Sequence, residues 1–209
     1  MKKRYIVASI SFIVFLLTTI LVLTNKIKPF DDLIYNTVFG LRNDFLDIFF
    51  KLVTELANPI PVIIIFALLV ILLNRNNEII LSVNMASTLV INQLLKNIFR
   101  RIRPDHLKLI KQGGFSYPSG HAMMALCLYG TLIYICMKKI KNKKLKILLV
   151  TILTIIILLI GISRIYVGVH FPSDIMGGYS LTISIIIVST TLTNNYLRGK
   201  NKNDKDGSK

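Results

Sequence analysis

The chain of 209 residues combines 53% hydrophobic residues with a formal net charge of +16 and a mean hydropathy of +0.62. A soluble domain of this size would not usually hold so much apolar content and so much positive charge together. The charges are instead segregated, because long apolar runs alternate with short basic clusters. This pattern is typical of a protein that crosses a membrane several times.

Six apolar runs have the length and composition expected of spanning helices, each of which needs about 20 mainly apolar residues. In chain order they cover residues 5–24, 59–73, 79–95, 119–137, 145–162 and 174–193. The second run is short and begins with prolines, which suit a helix start. The sequence therefore predicts an all-α polytopic membrane protein with six transmembrane helices.

The connection between the first two spans, residues 25–58, contains apolar residues at helical spacing. These residues are Phe45, Ile48, Phe49, Leu52 and Val53, and charged residues lie between them. The spacing predicts an amphipathic helix, either on the membrane surface or packed against the outer ends of the spans. At the other end of the chain, residues 1–197 are assigned to the membrane domain. The polar, basic residues 198–209 are predicted to form a disordered cytoplasmic tail.

An even number of spans places both termini on one side of the membrane, and the basic residues indicate which side. The side with the termini holds fifteen Lys and Arg against three acidic residues, whereas the other side holds eleven against seven. The positive-inside rule therefore predicts that both termini are cytoplasmic. Seven of the outer cations crowd at the ends of the third and fifth spans. An anionic ligand would explain their position, and so would side chains that reach lipid headgroups.

Three polar blocks lie at this outer surface in the predicted topology. Lys96 and Arg103-Pro104 follow the third span, and 118–121 (Pro-Ser-Gly-His) begin the fourth. The third block lies between the last two spans and contains Ser163-Arg164, His170 and Asp174. Because three separate segments meet at one surface, the topology by itself predicts a functional site there.

His170 and Asp174 are one helical turn apart. A carboxylate at this spacing can accept a hydrogen bond from one imidazole nitrogen and leave the other nitrogen as a nucleophile. Arg164 adds a planar guanidinium that matches phosphate oxygens. Ser119 and Gly120 at a helix N-terminus can present backbone N–H groups to a phosphate. His121 follows in the first turn of the same helix. A histidine at this position can take part in a site, or it can be a helix-end residue with no catalytic role.

Together these residues predict a site of phosphoryl transfer, in which cations and backbone donors stabilise the phosphate oxygens. The sequence shows no carboxylate-rich cage of the kind that holds magnesium, so lysine and arginine are expected to supply the positive charge. The prediction therefore includes no metal and no other cofactor. The partner expected from these residues is the membrane, and no nucleic acid is expected.

The three blocks resemble the signature of the type 2 phosphatidic acid phosphatase superfamily, which reads KxxxxxxRP, PSGH and SRxxxxxHxxxD. Every defining letter is matched in order across residues 96–174. The resemblance implies that His170 attacks phosphorus and forms a phosphohistidine, that Asp174 orients it, and that His121 protonates the leaving group. It also implies which residues hold the phosphate, namely Lys96, Arg103, Ser119, Gly120 and Arg164. The signature gives no role to Arg100, Arg101, Lys108 or Lys111.

Short bacterial members of that family act on lipid phosphates, so the resemblance implies a multi-pass enzyme of the bacterial plasma membrane with its site facing outside. Its expected substrate is undecaprenyl diphosphate, with phosphatidylglycerophosphate or phosphatidic acid as alternatives, and transfer to an acceptor other than water is also open. A transporter that binds lipid headgroups is the alternative from another class. Charges that stop at the helix ends favour the enzyme. The sequence does not indicate the oligomeric state, or whether the loop at 105–117 closes over the site.

Overall fold

The computed structural model describes residues 2–105 and 108–206, and all regular secondary structure in these ranges is helical. The chain forms eight helices there: α1 (Lys2–Leu23), α2 (Lys28–Gly40), α3 (Asp44–Glu55), α4 (Pro59–Leu72), α5 (Arg75–Phe99), α6 (Gly120–Lys139), α7 (Lys143–Tyr166) and α8 (Pro172–Asp206). The prediction of an all-α polytopic membrane protein is confirmed.

Five helices, α1 and α5 to α8, are each long and apolar enough to cross a membrane. The predicted second span differs from the others. Helix α4 has 14 residues, or about 21 Å, which is shorter than a hydrocarbon core of about 30 Å. It follows α3 across a bend of 47°, and only the two helices together pass as a sixth span. The number of spans is therefore five, or six with this broken helix.

Helix α8 lies at the centre of the bundle, where it packs against α1, α5 and α6. Small residues allow the close approach, as is common between helices in membranes. A side chain at Gly177, for example, would lie 2.7 Å from the ring of Tyr117, which enters beside α8. Halfway along the bundle, Asn84 of α5 donates to Thr131 of α6 at 2.9 Å and to Thr190 of α8 at 3.1 Å.

The connection between the first two spans contains two helices, where the sequence predicted one. The amphipathic helix is present as α3, which exposes Phe45, Ile48 and Leu52 and packs Phe50 on Tyr166 with 4.4 Å between ring centroids. Helix α2 was not predicted. Its buried inner face includes Asp31, and a charge on that face interrupts the apolar pattern by which amphipathic helices are recognised.

The last helix continues to Asp206, past the predicted start of a disordered tail at residue 198. No proline follows the last span, and a helix that is already formed extends at little cost. Residues 207–209 lie outside the described part of the chain. The division into a membrane domain and a tail stays a prediction.

Candidate active site

The end of α5, the start of α6, the end of α7 and the start of α8 meet at one end of the bundle. A cavity of about 520 Å³ opens there, and five of the eight predicted site residues line it: Lys96, Arg103, Gly120, His121 and His170. The other three, Ser119, Arg164 and Asp174, are fully buried behind this wall. The cavity also has an apolar part, formed by Ala57, Pro59, Val62, Ile63, Leu89 and Met124.

His170 is held by one partner on each ring nitrogen. Nδ1 lies 3.2 Å from Asp174 Oδ2, and Nε2 lies 3.0 Å from Arg103 Nη1. Because arginine can only donate, Nε2 must be the acceptor, and the proton must lie on Nδ1, where it is donated to Asp174. Burial lowers the pKa of His170 to about 3, although Asp174 opposes this shift. The imidazole is therefore neutral, with its lone pair on the nitrogen that faces the cavity.

The start of α8 fixes Asp174. Gly168, with a φ of 80°, turns the chain after α7, and Pro172 begins α8. Asp174, in the first turn, accepts a hydrogen bond from the backbone N–H of Phe171 at 2.8 Å. This is the returning bond of a capping box, in which a side chain in the first turn satisfies a backbone donor just before the helix. The carboxylate is thus oriented by the same turn that starts the helix.

Arg103 joins the loop between α5 and α6 to His170. Its Nη1 donates to Val169 O at 2.8 Å, and its Nε donates to Gly114 O at 3.0 Å. Burial lowers the pKa of Arg103, and Asp174 partly offsets that effect. Lys96 Nζ donates to a carbonyl of the same loop, Phe115 O, at 2.5 Å. Lys96 and Arg103, two of the three predicted phosphate-binding cations, thus line the same cavity as His170 and also bind backbone oxygens of this loop.

At the start of α6 the structure corrects one detail. The backbone N–H of Ser119, predicted to face the phosphate, instead donates to Asp174 O at 3.1 Å, because the first turn of α8 packs against it. The hydroxyl oxygen of Ser119 accepts from Ala122 N and caps the helix. Gly120 does line the cavity. A Cβ at Gly120 would lie 2.9 Å from Asn92 Oδ1, so the position has no room for a side chain.

His121 lies across the cavity from His170 and depends on the α3–α4 bend. Its Nε2 lies 2.7 Å from Asn58 Oδ1. Asn58 in turn donates from Nδ2 to Glu55 Oε2 at 2.6 Å, which identifies Oδ1 as the free acceptor. The bond to Asn58 therefore places a proton on His121 Nε2, the position from which an imidazolium at this residue would donate.

Arg164 is 0% exposed and binds two elements of the site. Nη1 donates to Thr54 Oγ1 of α3 at 2.6 Å, and Nη2 donates to Gln112 Oε1 at 2.9 Å. Its Nε has no hydrogen-bond partner within the described ranges 2–105 and 108–206. Gln112 lines the cavity, so Arg164 reaches the site through this glutamine.

Four further residues at the site were not among the predicted site residues. Asp174 accepts bonds from Ser116 Oγ and from Arg101 Nη1, the latter at 2.6 Å. Arg101 also binds Asp31, which lies in α2, seventy residues earlier in the chain. Asn58 is the fourth. The signature does not include these positions, and the long sequence separations leave no periodic pattern that would link them.

The model of the PAP2 superfamily matches residues 77–198, which is more than half of the chain. Phosphatidylglycerophosphatase B of Bacillus subtilis (strain 168) is 30% identical over 185 residues, covering 85% of this chain and 90% of that protein. The chain belongs to the PAP2 superfamily. Undecaprenyl-diphosphatase BcrC of the same organism is 29% identical over 168 residues, covering 74% of this chain and 78% of that protein.

A solved PAP2 structure agrees with the fold. The crystal structure of a transmembrane PAP2 type phosphatidylglycerolphosphate phosphatase from Bacillus subtilis superimposes with a TM-score of 0.80 at 28% identity. The match covers 90% of this chain and 96% of that one. Since 90% of the chain is matched, the similarity extends well beyond residues 77–198, which the PAP2 family model matches.

Proposed function

We propose that this PAP2 protein removes the terminal phosphate from undecaprenyl diphosphate at the outer surface of a bacterial plasma membrane, through a phosphohistidine on His170. The coarser statement follows from the family and from the lipid phosphatases among its relatives: the protein is a membrane-bound hydrolase of lipid phosphates. The observation on which the mechanism mainly depends is the bonding of His170, which leaves the lone pair of Nε2 beside Arg103.

In the first step, His170 Nε2 attacks phosphorus and the bond from phosphorus to the lipid oxygen breaks. Arg103 and Lys96 neutralise the phosphoryl oxygens, and the N-terminus of α6 at Gly120 supplies backbone donors. His121, as an imidazolium, gives its Nε2 proton to the departing lipid oxygen and becomes neutral. In the second step, water attacks the phosphohistidine, His121 takes a proton from that water, and His170 is released with inorganic phosphate.

The cavity supports a lipid substrate because its two parts differ in chemistry. Lys96, Arg103 and the histidines form the polar part, and α4 contributes Pro59, Val62 and Ile63 to the apolar part. A phosphate can therefore bind at His170 while the first atoms of the lipid contact α4. Phosphatidylglycerophosphate is the second candidate substrate, since the relative with that activity matches the greater share of this chain.

The direct test is phosphate release in detergent micelles from undecaprenyl diphosphate, phosphatidylglycerophosphate and phosphatidic acid, each compared with His170→Ala. We expect the highest kcat/KM on undecaprenyl diphosphate and no change in rate when EDTA is added. Faster release from phosphatidylglycerophosphate would reassign the substrate. Release from none of the three lipids would contradict the proposed function.

The outward orientation has its own test. Lys111 is exposed on the loop between α5 and α6, at the same end of the bundle as the cavity. In a protein without its two native cysteines, Lys111→Cys should react with a membrane-impermeant maleimide in intact cells. Lys141→Cys, on the loop between α6 and α7 at the opposite end, is the matched control and should react only after lysis. The reverse pattern would place the site in the cytoplasm.

A further inference from the structure

The carboxylate of Asp174 uses its two oxygens for different partners. Oδ2 accepts from His170 Nδ1 at 3.2 Å and from Phe171 N at 2.8 Å. Oδ1 accepts from Arg101 Nη1 at 2.6 Å, in an ion pair whose carboxylate is 0% exposed. Arg101 lies outside the family signature, yet it binds Asp174, the acid that touches His170.

Arg101 is in turn held by Asp31 of α2. Nη2 of Arg101 lies 2.7 Å from Asp31 Oδ2, and the Asp31 side chain is 1% exposed. Asp31 also accepts from Ser173 N at 2.9 Å and from Ser173 Oγ at 2.6 Å, which joins it to the first turn of α8. The guanidinium stacks over the ring of Phe171, 4.4 Å from its centre. Phe171 and Ser173 lie between His170 and Asp174 in the chain, so Arg101 and Asp31 pack directly against the segment that contains the proposed nucleophile and its partner.

A buried ion pair of this kind differs from an exposed one. Removing carboxylates from water is costly unless charged partners and hydrogen bonds replace the water. Burial by itself would lower the pKa of Arg101, but Asp174 and Asp31 outweigh it and the pKa is raised. The guanidinium is therefore firmly charged between two buried acids. The neighbouring pair of Lys28 and Asp32, with side chains 71% and 41% exposed, has no such surroundings.

We propose that Arg101 and Asp31 are positioning residues, which hold Asp174 in the orientation that accepts the proton of His170 Nδ1. This inference rests on the proposed role of His170 as the nucleophile. Arg101 occupies Oδ1 and so leaves Oδ2 for the imidazole, while Asp31 keeps Arg101 from turning away. Arg101 and Arg103 are two residues apart and serve opposite sides of the pair, since Arg103 binds the cavity-facing nitrogen.

The proposal predicts an effect on kcat and little effect on KM, because neither Arg101 nor Asp31 lines the cavity proposed for the substrate. At metal sites, loss of a residue that orients a ligand typically costs 10- to 100-fold in metal affinity or activity, and we expect a loss of the same order here. We expect Arg101→Ala to lower kcat by about 100-fold and Asp31→Asn by about tenfold, with KM within about twofold in both. The matched control is Asp32→Asn, which makes the same change one residue along α2 and should leave kcat unchanged.

A second cavity, of about 450 Å³, allows a sharper experiment. It is lined by Arg101, Asp31 and Phe171 together with residues at the ends of α1 and α5. A guanidinium ion added to Arg101→Ala can therefore enter the space left by the side chain and pair with both acids. We expect millimolar guanidinium to restore at least a tenth of the wild-type kcat to Arg101→Ala. It should restore none to His170→Ala, and wild type at the same concentration is the solvent control.

Arg101→Lys is a control that distinguishes loss of the positioning contact from loss of folding. Lysine keeps the positive charge but lacks the planar guanidinium, whose separate nitrogens reach Asp174 and Asp31, so its kcat should lie between those of wild type and Arg101→Ala. Three results would overturn the proposal. The first is wild-type kcat in folded Arg101→Ala and Asp31→Asn, and the second is a rise in KM with kcat unchanged. The third is an inactive Arg101→Ala that guanidinium does not restore, together with an inactive Arg101→Lys. Failure of the proposed function is distinct, because it would appear as lipid phosphatase activity in His170→Ala or as an inactive wild type.

Discussion

His170 and His121 face the same cavity, but the protein holds them by different means. His170 is 1% exposed, and its carboxylate partner is fixed by a helix start and a buried ion pair. His121 lies across the cavity, and its Nε2 is bound by a single amide, that of Asn58. Asn58 directly precedes α4, at the 47° bend between α3 and α4.

The difference matches what each residue has to do in the proposed mechanism. A nucleophile must keep one tautomer and one direction of attack through both steps, so it benefits from rigid, buried partners. An acid that serves first the leaving group and then a water must meet two different oxygens. Asn58 accepts the His121 Nε2 proton in the structure, and in the proposed mechanism the departing oxygen takes its place.

The largest expected effect is at His170. His170→Ala removes the nucleophile and should lower phosphate release by more than about 10³-fold on every lipid phosphate. The thermal midpoint should confirm that the variant is folded. Incubation of wild type with ³²P-labelled substrate, followed by alkaline quenching, should trap an acid-labile phosphoenzyme that the variant lacks. A labelled His170→Ala protein would show that another residue is the nucleophile.

His121→Ala should have a smaller effect, and its size should depend on the leaving group. General acid catalysis contributes about 10²-fold or more when the leaving oxygen is a strong base. The leaving group of phosphatidylglycerophosphate is an alcohol oxygen, which is a strong base. The leaving group of undecaprenyl diphosphate is undecaprenyl phosphate, a weaker base that needs less protonation as it departs. We therefore expect a loss of about 10²-fold on the monoester and a clearly smaller loss on the diphosphate. Equal losses on both substrates would contradict the assignment of His121 as the acid.

Asn58→Ala tests whether the hydrogen bond between Asn58 Oδ1 and His121 Nε2 contributes to the action of His121 as the acid. Losing one hydrogen bond should cost about 1 kcal/mol, or about fivefold in kcat. In a protein that already has His121→Ala, the same change should have no further effect, because the two residues act through one bond. Measuring kcat for the two single variants and the double variant checks this. Full additivity would assign Asn58 a role that is separate from His121.

The neutral state of His170 predicts a difference in acid stability. Because burial lowers its pKa to about 3, the unfolded chain binds a proton between pH 6.5 and pH 3 that the folded chain does not. Wild type therefore loses stability on acidification relative to His170→Gln, which has no such group. Between pH 7 and pH 5 the thermal midpoint of wild type should fall by about 5 °C more than that of the variant. An equal fall in both would show that burial does not lower the pKa of His170 in the folded protein.

Sequence patterns anticipated the spanning helices better than the elements between them. Long apolar runs identify α1 and α5 to α8 because a helix in lipid must be apolar over about 20 residues. The second span was predicted as one short helix, whereas the structure combines α4 with α3 across a bend. Helix α2 was missed altogether, because Asp31 is buried by pairing with Arg101 and so gives no hydrophobic signal.

The sequence by itself determined that His170 and Asp174 lie together, because one helical turn suffices to bring them into contact. It also indicated that Lys96, Arg103 and the start of α6 belong with them, since the spans deliver all three blocks to one membrane surface. Only the tertiary structure decided which nitrogen of His170 is free, which amide holds His121, and why Asp31 is buried. These depend on contacts between residues 63 to 73 positions apart, and the packing of the helices, not the local chain, sets such contacts.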